Sequence, residues 1–430
     1  MTADAPAAPA NPPTPAIVVK LLAVSAVLGV VVALGFEAFE RGLEHAQHWL
    51  WHTVAGDAPG WATTVTITTV GGLVTGLLVR FLPGHGGAHP ADGHGLLNPD
   101  PDSARLKVVL SVLIVGFVSL MVGASLGPEG ALLPGVAGAA LLVSRLVKAQ
   151  GPAQRLLLGA ALAALLAAMF GSPLAGVVPL LEMVPVASGA SMALLVLPAL
   201  TATATATITL QVLGVTAAGR IPFSYDDFHW PHLFVALLVG VVAGAAGMML
   251  TPATAALRSL TKRLDRVSVV ITLTVGGLCL GWLYVIGGVT VRFRGIPELL
   301  GAVAQTESAP RALLLAAVKL AATAWCLAVG FRGGKIFPIA YVGGTVGLAL
   351  HLFIPSIPVE LAWGIGMAAA MATALGTPVM AALIAASLMT PAMLPLALLG
   401  VVAAHTVYVL GHQLSAAQPD APSVAAASAP

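Results

Sequence analysis

VGASLGPEGALLPGVAG at 122–138 and VGFRGGKIFPIAYVGGTVG at 329–347 decide how this chain is read. Each is a glycine-rich break inside apolar sequence, followed by an apolar run of helical length. Gly123 aligns with Gly330 and Gly127 with Gly334. Downstream, AAMFGSPLAGVV (167–178) resembles MATALGTPVMAAL (371–383), pairing Gly171 with Gly376 and Pro173 with Pro378 at nearly the same offset. Matched Gly/Pro interruptions in two halves of an apolar chain predict an internal repeat and point to an ion site near the middle of a bilayer. A single glycine carries no such message, because membrane helices use small residues simply to pack closely.

Helix-end chemistry gives the pointer its physics. A helix broken inside a membrane exposes backbone N–H groups that must find a partner. An anion is such a partner, and the helix dipole places about half a positive charge at that end. Broken-helix starts that converge therefore attract an anion through partial charges. Conduction favours that arrangement, since a buried full cation would hold the ion too tightly for release.

The rest of the chain supplies the membrane. Hydrophobic residues make up 58% of it and charged residues 8%, against roughly 25% charged in a soluble domain. Runs long enough for spans of about 20 residues recur at 16–35, 62–82, 107–126, 155–182, 231–250, 267–289, 311–330 and 359–410. The expected domain covers 16–413, in halves 16–215 and 230–413. Residues 1–15, rich in Pro and Ala, and 414–430 read as disordered tails with no appended regulatory domain. With a net charge of +2 and scattered basic residues, nothing suggests nucleic acid.

Lys20 precedes the first span, Glu37, Glu40, Glu44 and Asp57 follow it, and Arg80, Arg105 and Lys107 follow the second. Basic residues favour the cytoplasmic side, which predicts an inside amino terminus, an outside 36–60 loop and a cytoplasmic 83–104 segment. Trp49, Trp51 and Trp61 read as interfacial anchors. Cys279 and Cys326 read as buried packing residues.

Glu129 stands where a helix should restart. A charge at mid-bilayer costs at least about 2.5–3.5 kcal/mol, so an acid there is a functional candidate by default. Its carboxylate would occupy the anion position itself and leave when protonated or displaced. The bland alternative is a carboxylate capping a helix start near the membrane edge.

LGPEG (126–130) and GGKIFP (333–338) resemble two anion-site motifs of the CLC chloride channel and transporter family, and GSPLAGVVPLLE (171–182) resembles the segment that follows the first. The resemblance covers about 16–410 and rests on the conjunction of motifs. It implies an all-α, polytopic membrane protein with two inverted-topology repeats, whose broken helices meet at a midplane anion site. It also implies a homodimer with one pore per subunit in the cell membrane, chloride as the default anion, no cofactor and no enzymatic activity. Glu129 would be the gating glutamate, with Gly127, Gly130, Ala131, Ile336 and Phe337 around the anion.

Three departures from the family pattern matter. Where the family usually reads G-S-G-I-P this chain has Gly86-Gly87-Ala88-His89-Pro90, so Gly87 replaces a serine hydroxyl and Gly87, Ala88 and His89 are the expected anion-facing positions. Met183 stands where proton-coupled members carry an inner acid, leaving Glu182 as the candidate inner proton site. The last tyrosine, Tyr408, still lies in the preceding apolar run, so the terminal anion-facing helix looks truncated. These losses favour a passive channel over a proton-coupled exchanger and leave the exchanger open.

His85, His89 and His94 with Asp92 hold ligand-type side chains but fit no standard metal spacing. They support a more distant alternative, a membrane-embedded metalloenzyme. Arg332 and Lys335 beside the second break read either as cations that concentrate anions or as snorkelling side chains.

Overall fold

A computed structural model describes residues 15–56, 59–85, 104–183, 190–215, 225 and 228–416 of the chain. Among them the architecture is helical. The first half comprises α1 (Pro15–His48), α2 (Trp61–Phe81), α3 (Leu106–Met121), α4 (Glu129–Leu146), α5 (Pro152–Phe170), α6 (Pro173–Met183) and α7 (Ala190–Val212). The second comprises α8 (Pro231–Met248), α9 (Leu250–Val267), α10 (Val269–Gly287), α11 (Ile296–Gln305), α12 (Ala309–Val329), α13 (Ile336–Phe353), α14 (Val359–Leu375), α15 (Pro378–Leu388) and α16 (Leu394–Ala416). Nine segments of the described residues are long and apolar enough to cross a membrane.

The repeat foreseen from the glycines reappears in the packing. α1 packs on α5 and α7 as α8 packs on α14 and α16. α5, α6 and α7 pack mutually, as do α14, α15 and α16, and α3 meets α4 as α12 meets α13. The long runs 155–182 and 359–410 are broken at equivalent places. Gly171 ends α5 and Gly376 ends α14, both left-handed with φ of 64° and 73°, and Pro173 and Pro378 open the next helices. Glycine stops a helix by accepting a conformation that other residues resist, and proline restarts one without needing its N–H.

Small residues set the distances between helices, since lipid tails give no hydrophobic drive for association. A Cβ on Gly72 of α2 would fall 2.1 Å from the Leu273 carbonyl oxygen of α10, and one on Gly277 would fall 2.0 Å from that of Thr68. The same device joins α1 to α7 at Gly29 and Ala202, and α8 to α16 at Gly240 and Gly400. α5, α13 and α14 are buried around their whole circumference over most of their length. That places them in the centre of the bundle, with apolar faces of the peripheral helices turned outward.

Two expectations are corrected here. Residues 36–48 are not a loop: α1 runs without interruption for 34 residues, about 51 Å at 1.5 Å per residue, and continues into a π-helical stretch, Trp49–Val54. Glu40 tolerates that position because Arg294 pairs with it, and the same guanidinium reaches Glu44 Oε1 at 3.2 Å. Trp51 is not an interfacial anchor. It is 2% exposed, donates its indole N–H to Met121 O at 3.1 Å and lies under the Arg292 guanidinium, 4.9 Å from the ring centre. Trp61 does stand exposed, stacked on Trp282.

Candidate functional site

The two glycine-rich breaks touch. Gly127 N–H donates to Gly334 O at 2.8 Å and Gly334 N–H donates to Gly127 O at 2.7 Å, a two-residue antiparallel bridge at the starts of α4 and α13. Bare backbone is required there by proximity rather than by dihedral angle, since none of the four glycines at the crossing has positive φ. A Cβ on Gly130 would sit 1.9 Å from the Gly333 carbonyl carbon, and one on Gly333 would sit 2.5 Å from Leu126 Cβ.

Glu129 fills the space those glycines leave. Its side chain is 2% exposed, and Oε1 accepts the Ile336 N–H at 2.7 Å. A Cβ on Gly127 would lie 2.1 Å from Oε2, and one on Gly334 would lie 2.2 Å from Cγ. The second oxygen, Oε2, is buried with no hydrogen-bond partner among the described residues. A carboxylate from one half thus sits at the helix start of the other, where the orphan amides and the dipole favour negative charge.

The remaining expected amides divide. Those of Gly127 and Ala131 are engaged by backbone, Gly127 with Gly334 O and Ala131 with Pro128 O at 3.0 Å. Ile336 and Phe337, both buried, open α13, and Gly130 lies in the first turn of α4. Gly87, Ala88, His89 and His94 lie outside the described residues. His85 is described: its Nε2 is 3.0 Å from Ser111 Oγ, which donates to Pro83 O at 2.7 Å. Because the single serine proton is used on Pro83, the imidazole must donate through Nε2 and stay neutral or doubly protonated. Burial, aided by the Arg332 charge, pushes it down to about 4, which selects the neutral ring.

Glu182 is placed at the other seam between the halves. Its two oxygens accept Val379 N–H at 2.7 Å and Met380 N–H at 2.8 Å, capping α15 from α6. The equivalent start of α6 is capped within its own segment, by Ser172 Oγ accepting Ala175 N–H at 3.4 Å. Lys335 is also engaged: its ammonium donates to Ala374 O at 2.9 Å, at the carbonyl end of α14 where a cation is favoured.

Several residues near the site escaped the sequence reading. Lys319 of α12 is 0% exposed and donates to the carbonyls of Val291, Arg292 and Phe293 at 3.1, 3.2 and 2.6 Å. It pins a turn in which Phe293 has φ of 52°, an uncommon left-handed conformation for a non-glycine residue. Gly295, at the end of that turn, packs on Lys319 and on Tyr341 of α13. Arg294, from the same turn, is near enough to Glu129 to act on it electrostatically. The signal for Lys319 was present, a lone lysine inside the 311–330 run. Arg294 sat between runs and carried none.

The sequence model of voltage-gated chloride channels matches residues 70–408. The chain belongs to that family, the CLC proteins of anion transport. It is 32% identical over 343 residues to YfeO of Salmonella schwarzengrund (strain CVM19633), a protein named for ion transport, covering 78% of this chain and 81% of the relative. YfeO of Salmonella newport (strain SL254) is 31% identical over the same length. Among solved structures, a CLC-type fluoride/proton antiporter superposes with a TM-score of 0.77 at 21% identity, covering 92% of this chain and 97% of that one. A slow cyanobacterial chloride/proton antiporter gives 0.76 at 21% identity, covering 93% and 99%.

Proposed function

We propose that this protein moves a small monovalent anion, chloride by default, passively across the cell membrane through a path that the Glu129 carboxylate closes. One observation carries the reading. The carboxylate of Glu129 lies at the α13 amides, the position that an anion would take, and its hold there depends on its own charge. An ion of like charge competes for the same N–H groups, and protonation releases them. The expected surroundings are Gly127, Gly130, Ala131, Ile336 and Phe337 on the broken helices, with Gly87, Ala88 and His89 from the segment outside the described residues. A homodimer with cytoplasmic amino termini, and no bound cofactor, completes the reading.

A proton-coupled exchanger on the same fold is the second reading. The buried, unpartnered Oε2 of Glu129 favours it, as an atom suited to take a proton. The passive reading is supported by Glu182, the candidate inner proton station, whose two oxygens are both committed to α15. Liposomes loaded with chloride separate the two. Passive transport dissipates a chloride gradient without moving protons, whereas sustained acidification or alkalinisation driven by that gradient overturns it in favour of exchange.

A further inference from the structure

Arg332 lies two residues before Gly334, on the wall of the break between α12 and α13. Its backbone N–H donates to Ser119 Oγ of α3 at 3.0 Å, which fixes where the side chain begins. The guanidinium finds no ion pair or hydrogen bond in the described residues, and its Nε is buried without a partner. Arg332 as a whole is partly exposed, yet a cation drawn even partly out of water is ordinarily paired, because an uncompensated charge there is costly. The other cations beside the breaks obey that rule. Lys335 holds Ala374 O, Lys319 holds three carbonyls, and Arg294 holds Glu40 and Glu44.

The repeat sharpens the anomaly. The position matching Arg332 in the first half is Ser125, fully buried, whose hydroxyl meets Thr323 Oγ1 at 3.3 Å. Packing at this point of the fold is therefore satisfied by a small neutral side chain. The guanidinium acts toward His85, near Ser111 of α3, while Arg294 acts toward Glu129. His85 is no substitute cation, because its burial and the Arg332 charge keep the ring neutral.

We propose that Arg332 is an anion-holding residue, whose guanidinium binds the transported monovalent anion on the His85 side of the Glu129 crossing. The assignment rests on the anion-transport reading and deepens it. It also amends the expectation that partial charges alone hold the ion. A guanidinium is more weakly hydrated than an ammonium and spreads its charge over a planar fork, which moderates the grip that a lysine would exert.

Chloride titration by calorimetry of the purified full chain, with chloride replaced by gluconate at constant ionic strength, tests this in wild type, Arg332→Gln, Arg332→Met and Arg332→Lys. Gln and Met are expected to weaken chloride binding about tenfold or more, the loss from deleting a hydrogen bond to a charged group, and Lys to retain most of it. Thermal unfolding gives a second readout. In gluconate the neutral variants melt at or above the wild type, since an unpaired charge has been removed, and chloride raises the wild-type Tm more than theirs. A wild type that binds chloride while Gln or Met binds it equally well overturns this inference alone. So do neutral variants that melt well below the wild type in gluconate, which would make Arg332 structural. A wild type that binds neither chloride, fluoride nor nitrate overturns the transport reading and this inference with it.

Discussion

The Glu129 carboxylate accepts the backbone N–H of Ile336 at 2.7 Å, joining residues 207 apart in the chain. The bond crosses from the first repeat to the second, at the points where both have broken their helices. It ties the position of one side chain to its charge, because an amide at a helix start rewards the ionised form and gives little to the neutral one.

Protonation therefore releases Glu129, and wild-type anion flux rises as pH falls and declines as pH rises. Glu129→Gln holds the neutral form at every pH. Chloride efflux from liposomes carrying E129Q is expected to exceed the wild type in alkaline buffer and to stay flat with pH. Unchanged flux together with an unchanged pH response would remove Glu129 from the path.

Gly334→Ala places a methyl group 2.2 Å from Glu129 Cγ and 2.3 Å from Cδ. The carboxylate must leave or the bridge to Gly127 must open, at a cost of about 1–3 kcal/mol in stability. Expulsion of the side chain makes G334A resemble E129Q in flux and pH response. Wild-type behaviour in both would mean that the crossing is looser than the geometry implies.

Glu182→Ala strips the cap from α15. Loss of an N-cap costs about 0.5–2 kcal/mol, read as a lower Tm, while Glu182→Gln, which keeps one acceptor, loses less. On the passive reading neither variant changes the proton balance of chloride flux. A proton current present in wild type and abolished in E182Q would instead assign Glu182 to exchange.

Lys319→Met keeps the length of the side chain and leaves the carbonyls of Val291, Arg292 and Phe293 without its ammonium. The expected loss is on the order of 3 kcal/mol. The turn bearing Arg294 loosens with it, so hydrogen exchange at 291–295 should quicken more than in α5. Uniform protection would place Lys319 in general packing.

Much of this was legible in one dimension because membranes restrict the choices. Unsatisfied backbone is so costly in lipid that a glycine–proline interruption must mean something, and Gly171 and Gly376 proved to be left-handed stops before prolines that restart α6 and α15. Glu129 stood out for the same reason, as a charge whose cost called for a purpose. Lys319 could have been found by that rule. Arg332 was named beside the second break with snorkelling as an equal reading, and Arg294 was not named, because a basic residue beside an apolar run reads equally well as solvated.

Composition and hydrophobic period, which need no contacts, determined the membrane class, the two halves and the matched breaks. Partnership was decided only in three dimensions: that Gly127 bridges Gly334, that Glu40 meets Arg294 from a helix expected to be a loop, that Glu182 caps α15, and that the Arg332 Nε meets no partner among the described residues. Helix-forming tendency is local and so is written along the chain. The compensation of a buried charge depends on which distant segment folds against it, and neighbouring residues carry no record of that.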